Sequence, residues 1–276
     1  MYRRRLMQPS FFCKLAAMKL ALCQLDSRWE DPQYNLRSFG EAVDSYVSQR
    51  GVPDLLVFPE FFNTAYTFNL DYAEPCDGET LQAMLAKAAQ VGCAIAGSIL
   101  VRDGDKAYNR LYFVTEKGEV FQYDKRHAFS MSGEDKVISC GRGKTVVAYR
   151  GWNIALSVCY DLRFPVWLRN AGNSYDLMLT VASWPASRSV YATRMAQSRA
   201  IENMCYMAFC NRVGSDPECT YDGRSDVWDF GGEPLGSEFQ IAGHSFVEAE
   251  IELQPLVDYR EKFPIWKDND RFTIEL

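Results

Sequence analysis

Two hydrophobic rhythms alternate along the chain from Lys19 onward. "LALCQLD" (20–26) is a nearly unbroken apolar run, the pattern of a buried strand. "YNLRSFGEAVDSYVSQRG" then places Leu36, Phe39, Val43, Tyr46 and Val47 on one face at helical spacing and stops at Gly51. "DLLVFPE" (54–60) reads as a second buried strand, "GETLQAMLAKAAQVG" (78–92) as a second amphipathic helix and "CAIAGSILV" (93–101) as a third strand. "AYNRLYFVT" and "EVFQYDK" form a strand pair around the turn Lys117-Gly118.

The second half repeats the theme. "TVVAYRG" and "NIALSVCYD" are strands, "VWLRNAG" a short helix that Pro165 is placed to open, and "DLMLTVAS" (176–183) a strand. "YATRMAQSRAIENMC" (191–205) is a helix, and strands follow in "YMAFCNRVG", "SDVWDF" and "HSFVEAEIEL". The tail from Pro255, "PLVDYREKFPIWKDNDRF", is charged and aromatic and reads as an arm over a surface, that of a partner subunit being one option. Strands interleaved with helices throughout predict an α/β fold, and 276 residues with 47% hydrophobic content suit one large domain.

Composition narrows the function classes. A net charge of −6 and a pI near 5.1 without a basic block argue against nucleic acid and anionic membranes as partners. No apolar run approaches the roughly 20 residues that span a bilayer. The nine cysteines are odd in number, lack a CxxC pair and partly sit inside apolar stretches, which predicts free thiols and a cytoplasmic setting. The only histidines, His127 and His244, have no partner at metal-ligand spacing, so neither a metal nor another cofactor is expected. The first 17 residues hold four basic residues and no acid, with a short, broken apolar part. They read as a disordered or artefactual extension before a domain at 18–276 whose arm begins near 255. A processed targeting segment is the alternative.

Three strand ends deliver reactive groups: "LLVFPE" gives Glu60, "VFQYDK" gives Lys125 and "LSVC" gives Cys159. Singly, each has a bland reading: a solvated turn carboxylate, a surface lysine beside Asp124, a small buried hydrophobe. Together they form a chemical set. A carboxylate can take the thiol proton, and a lysine and the Tyr160 N–H can hold an oxyanion. The same carboxylate can then protonate leaving ammonia and activate water. The sum is covalent amide hydrolysis without a histidine, and His127, two residues past Lys125, is expected to face elsewhere.

The order Glu in "FPE", Lys in "YDK" and Cys in "CYDLRFP" resembles the nitrilase superfamily of carbon–nitrogen hydrolases, and the likeness continues through "ASWPASR", "SRAIEN", "NRVGSD" and "YREKFPIW". The resemblance implies a four-layer α-β-β-α sandwich that pairs into a homodimer. It also implies Glu60 as general base and acid, Lys125 as oxyanion stabiliser, Cys159 as nucleophile and Glu134 of "SMSGEDK" as a second site glutamate. Within the superfamily, "DKRHAFSMSGED", "SWPASRS" and "YREKFPIW" are most similar to bacterial omega-amidases. That likeness implies a small-molecule amide substrate, a 2-oxo dicarboxylic acid monoamide such as 2-oxoglutaramate or 2-oxosuccinamate. Arg188 is then the candidate for the distal carboxylate, because its fork matches two oxygens. Arg163 is its rival, but is expected to pair with Asp161 in the nucleophile turn. Phe62, Tyr66, Phe129 and Trp184 are candidates to narrow the pocket, or else to cover the core.

Competing readings make different demands. A deaminated-glutathione, N-carbamoyl or other aliphatic amidase would keep the triad and move the carboxylate-binding arginine. A silent binding protein has no need for a thiol between two charges, and a cysteine-based metal site would need clustered pairs.

Overall fold

The computed structural model describes residues 17–275. The first half runs β1 (Ala17–Gln24), α1 (Pro32–Arg50), β2 (Leu55–Val57), β3 (Glu74–Pro75), α2 (Glu79–Val91), β4 (Ala94–Asp103), β5 (Lys106–Val114) and β6 (Val120–Asp124). The second half runs β7 (Val146–Tyr149), β8 (Trp152–Val158), β9 (Leu177–Ala182), α3 (Ser189–Asn203), β10 (Tyr206–Asn211), β11 (Val213–Ser215), β12 (Thr220–Asp222), β13 (Asp226–Trp228), β14 (Ser237–Ile241), β15 (His244–Glu252) and α4 (Leu253–Lys262).

Two sheets stack face to face. One has the order β14-β15-β1-β2-β4-β5-β6, with β3 also on β4; the other has the order β13-β10-β9-β8-β7. Each has a parallel centre, β1-β2-β4 in the first and β8-β9-β10 in the second, flanked by antiparallel strands. Period-two alternation sorts the side chains. Met18, Leu20 and Leu22 of β1 join Ile154, Leu156 and Val158 of β8 in the layer between the sheets. Ala21 and Cys23 face the other way, onto Phe39, Val43 and Tyr46 of α1 and Met84 of α2. With both faces covered, the strand reads as an unbroken apolar run. On the far side, Ala192, Ala196 and Ala200 form the buried stripe of α3. The result is the expected α-β-β-α sandwich.

Local signals explain the helix ends. Asp31 caps α1 by accepting the Tyr34 N–H at 3.0 Å, and Pro32 opens the helix. Gly92 ends α2 at φ 78°, where a side chain would strain the backbone.

Several expectations need correction. The proposed 1–17 extension lies outside the described residues apart from Ala17, which already belongs to β1. Pro165 opens no helix: Cys159–Arg163 is a 3-10 turn, and "VWLRNAG" continues as turns with a 3-10 segment at Ala171–Asn173. The tail is not simply an arm. Its first part is α4, held to its own chain by Leu256 and by Arg260, which donates to Asp176, Tyr175 O and Met204 O at 2.7–2.8 Å. Eight described cysteines are free. No helix among the described residues is long and apolar enough to cross a membrane.

Candidate active site

The parallel strands of both sheets end at the same edge, where open α/β sheets build their sites. Glu60 follows β2, Cys159 follows β8 and Ser183 follows β9; the Glu60 N–H donates to Ala182 O across the seam. Lys125 follows β6, and the hairpin register sets it opposite Asn109 of β5, whose carbonyl accepts the Lys125 N–H at 2.9 Å. The strand-end reading therefore brings Glu60, Lys125 and Cys159 together.

None of the three is a surface group. Glu60 is completely buried and Lys125 and Glu134 nearly or fully so. Lys125 Nζ donates to Glu60 Oε1 at 2.9 Å and to both Glu134 oxygens at 3.0 and 2.8 Å. Burial alone would discharge the ammonium, but Glu134 and then Glu60 outweigh it and hold its pKa well above the ordinary lysine value. The neighbouring Asp124 does not pair with Lys125; it accepts from Arg110. Glu134 is fixed further by the Tyr66 hydroxyl at 3.1 Å and the Phe129 N–H at 2.6 Å. Asp135 is exposed, which resolves which acid of "GED" enters the site.

The thiol of Cys159 borders Glu60 and the Ser183 N–H. Burial, with the Glu60 carboxylate next, pushes its pKa well above the ordinary thiol value, and Lys125 offsets this only in part. The resting sulfur is therefore protonated at neutral pH. Cys159 has φ 44°, a left-handed conformation rare outside glycine and a form of strain found at functional turns. Asp161 stabilises that turn. Its carboxylate accepts from Val158 N (3.1 Å), the Tyr123 hydroxyl (2.7 Å), His127 N (2.9 Å) and His127 Nδ1 (2.7 Å). His127 is thus behind the turn, stacked on Phe164 with ring centres 3.7 Å apart.

Cys159 opens into a cleft of about 470 Å³. Tyr66, Phe129, Tyr160, Trp184 and Arg188 line it. Phe62 does not: it is fully buried between the first sheet and α1, near Phe39 and Phe58, in a space left by Gly97, where an added Cβ would fall 2.9 Å from its ring. Arg163 is also a correction. Asp161 is taken by other donors, and the Arg163 guanidinium lies in the cleft 5.2 Å from the Trp184 ring centre. Arg188 sits 5.5 Å from the Phe129 ring centre. Neither guanidinium forms an ion pair among the described residues. Trp29, Met131 and Tyr221 of the cleft wall escaped the sequence reading: Trp29 lies in a turn, Met131 in a 3-10 segment and Tyr221 in the three-residue strand β12, pieces too short to carry a periodic signal. Asn109 escaped it too, although an amide on the inward face of an apolar strand is a visible irregularity. No cluster of metal-ligating side chains occurs among the described residues.

A buried thiol, a carboxylate beside it and a lysine held between two carboxylates, at the foot of a cleft, are the parts of an acyl-transfer site. The chain belongs to the carbon–nitrogen hydrolase family, whose sequence model matches residues 19–260, and it is an amide-hydrolysing enzyme. It is 38% identical to the omega-amidase YafV of Escherichia coli (strain K12) over 261 residues, 94% of this chain and 100% of that protein. It is 33% identical to the 2-oxoglutaramate amidase of Bacillus subtilis (strain 168) over 254 residues, 90% of this chain and 96% of that one. Among solved structures, XC1258 of Xanthomonas campestris superposes with a TM-score of 0.88 at 35% identity, covering 95% of this chain and 100% of that one; it is a CN-hydrolase superfamily protein with an arsenic adduct in its active site.

Proposed function

We propose that this enzyme is an omega-amidase. It releases ammonia from the distal amide of small 2-oxo dicarboxylic acid monoamides, 2-oxoglutaramate and 2-oxosuccinamate, through a thioester on Cys159. The observation that carries the reading is the contact of a protonated, buried Cys159 thiol with Glu60, in a cleft that also holds two guanidinium groups without an ion-pair partner among the described residues. The omega-amidase and 2-oxoglutaramate amidase among its relatives support the substrate class.

Glu60 Oε1 already accepts from Lys125 and Asn109, and among the described residues Oε2 accepts only the Ser183 N–H, at 2.8 Å. Oε2 is therefore the atom with room for the thiol proton. As the proton moves to Oε2, sulfur bonds to the amide carbon and the carbonyl electrons settle on oxygen. Lys125 Nζ and the Tyr160 N–H hold that oxyanion. Collapse breaks the C–N bond; the Glu60 proton goes to nitrogen and ammonia leaves. Water then gives a proton to Glu60 as its oxygen attacks the thioester, and sulfur departs with that proton to restore the thiol. Arg188 binds the distal carboxylate, with Arg163 in the same cleft to share the load.

The test is ammonia release from 2-oxoglutaramate, with glutamine, asparagine and an aliphatic nitrile as comparisons, for wild type and Cys159→Ala. Rapid release from the oxo-amide, abolished in the mutant, is the expected result. Cys159-dependent release from a different amide only would move the substrate to another aliphatic or N-carbamoyl amide. Inactivity on all of them would return the chain to a binding role.

A further inference from the structure

Two buried carboxylates, Glu60 and Glu134, share the single cation Lys125, which leaves the cluster one negative charge in excess. A carboxylate acts as a base only without its proton, so the groups that donate to these oxygens bear on the chemistry. One neutral side chain lies between the two acids. Asn109 Nδ2 donates to Glu60 Oε1 at 2.7 Å and reaches Glu134 Oε1 at 3.4 Å. Its own Oδ1 is buried without a protein partner among the described residues. The amide therefore leaves its acceptor unsatisfied so that its donors can face the carboxylates; turned over, it would set Oδ1 against their oxygens. The arrangement follows from strand geometry. Asn109 shares the inward face of β5 with Leu111 and Phe113, and the β5–β6 register sets it beside Lys125.

We propose that Asn109 is a positioning residue that keeps Glu60 ionised and holds its Oε1, so that Oε2 is the oxygen presented to the Cys159 thiol. This rests on the reading of Glu60 as the base. Asn109 itself touches no reacting atom.

The experiment compares Asn109→Val with Asn109→Thr, a pair of nearly equal shape that differ by one hydroxyl donor. Two pH profiles are recorded for each variant and for wild type: kcat/KM for amide hydrolysis, and the rate at which iodoacetamide alkylates Cys159, which needs no knowledge of the substrate. Removing a donor to the ionised carboxylate raises the pH at which Glu60 loses its proton. The acid limb of both profiles in Asn109→Val should move up by about one unit, a roughly tenfold loss on the acid side, with Asn109→Thr in between. Acid limbs identical in wild type, Val and Thr variants would overturn the proposal, because a packing role lowers rates without moving them. Should Asn109→Val fail to fold, Asn109→Asp keeps the side-chain shape and replaces the donor with an acid. Its limb must move up as well, and an unmoved limb is equally fatal. Glu60→Gln is measured alongside. If it leaves the alkylation limb unchanged, the reading of Glu60 as base fails. If it removes the limb while the Asn109 variants match wild type, only the role of Asn109 fails.

Discussion

At the scale of single residues, charge and burial decide the chemistry. The Cys159 thiol is held in its neutral form by burial and by Glu60, so in the proposed mechanism it attacks only while its proton is being removed. The UV difference between wild type and Cys159→Ala should therefore show no thiolate from this residue below about pH 8.5, the ordinary thiol value. A thiolate step near neutrality would contradict the proposed proton transfer to Glu60. Arg188 belongs to the same scale. Among the described residues its guanidinium has no carboxylate partner, so it can exchange water for that of a substrate. Arg188→Ala should raise KM for 2-oxoglutaramate roughly 10- to 100-fold, the loss of a charge-assisted pair, with little change for a neutral aliphatic amide. Equal effects on both substrates would remove its carboxylate role.

At the scale of elements, the 3-10 turn Cys159–Arg163 is the critical piece. It begins at a residue in left-handed conformation, and the rigid end of β8 and the Asp161 carboxylate together hold that shape. Deleting the carboxylate would orphan the buried Val158 N–H and Tyr123 hydroxyl and release His127. Asp161→Ala should cost about 3 kcal/mol of stability in a denaturant titration and most of the activity, and Asp161→Asn less, since its amide oxygen still accepts. The sequence "CYDLRFP" made this turn visible as a turn. It did not reveal that Asp161 faces backward into the core and Arg163 forward into the cleft, because adjacent residues of a short turn have no periodicity to sort them.

Across the whole molecule, the ion cluster lies at the seam where the two sheets meet. Glu60 comes from the first sheet and Lys125 and Asn109 from its far edge, while Ser183 and Cys159 come from the second. Stability and activity are therefore coupled there. In the wild type, the raised pKa of Lys125 means that its stabilising contribution is fully present below the unfolded lysine value of about 10.4 and is lost only above it. Lys125→Met removes the cation and leaves two buried carboxylates that retain protons the unfolded chain releases above about pH 4.3, so stability must fall as pH rises. The expected loss is about 3–5 kcal/mol at pH 8 and clearly less at pH 5, read from denaturant midpoints. A loss independent of pH would mean that the carboxylates find other partners.

What the sequence by itself determined is the set of elements and the chemical inventory. Apolar runs such as "LALCQLD" and "DLLVFPE" are strands because both faces are covered, and the helical stripes of α1 and α2 are legible because one face meets the sheet. The order Glu60, Lys125, Cys159 was legible because each sits where an apolar strand gives way to polar residues. What only the tertiary structure decided is which way side chains in loops and turns point. Phe62 and Phe129 are alike in sequence, yet Gly97 admits one into the core while the other lies in the cleft. Asn109 looks like a flaw in an apolar strand until the hairpin register brings it beside Lys125. The physical reason is the same in each case. Periodicity encodes which face of an element is buried, but contacts between distant segments are set by how two sheets and their loops close on one another, and no local pattern records that.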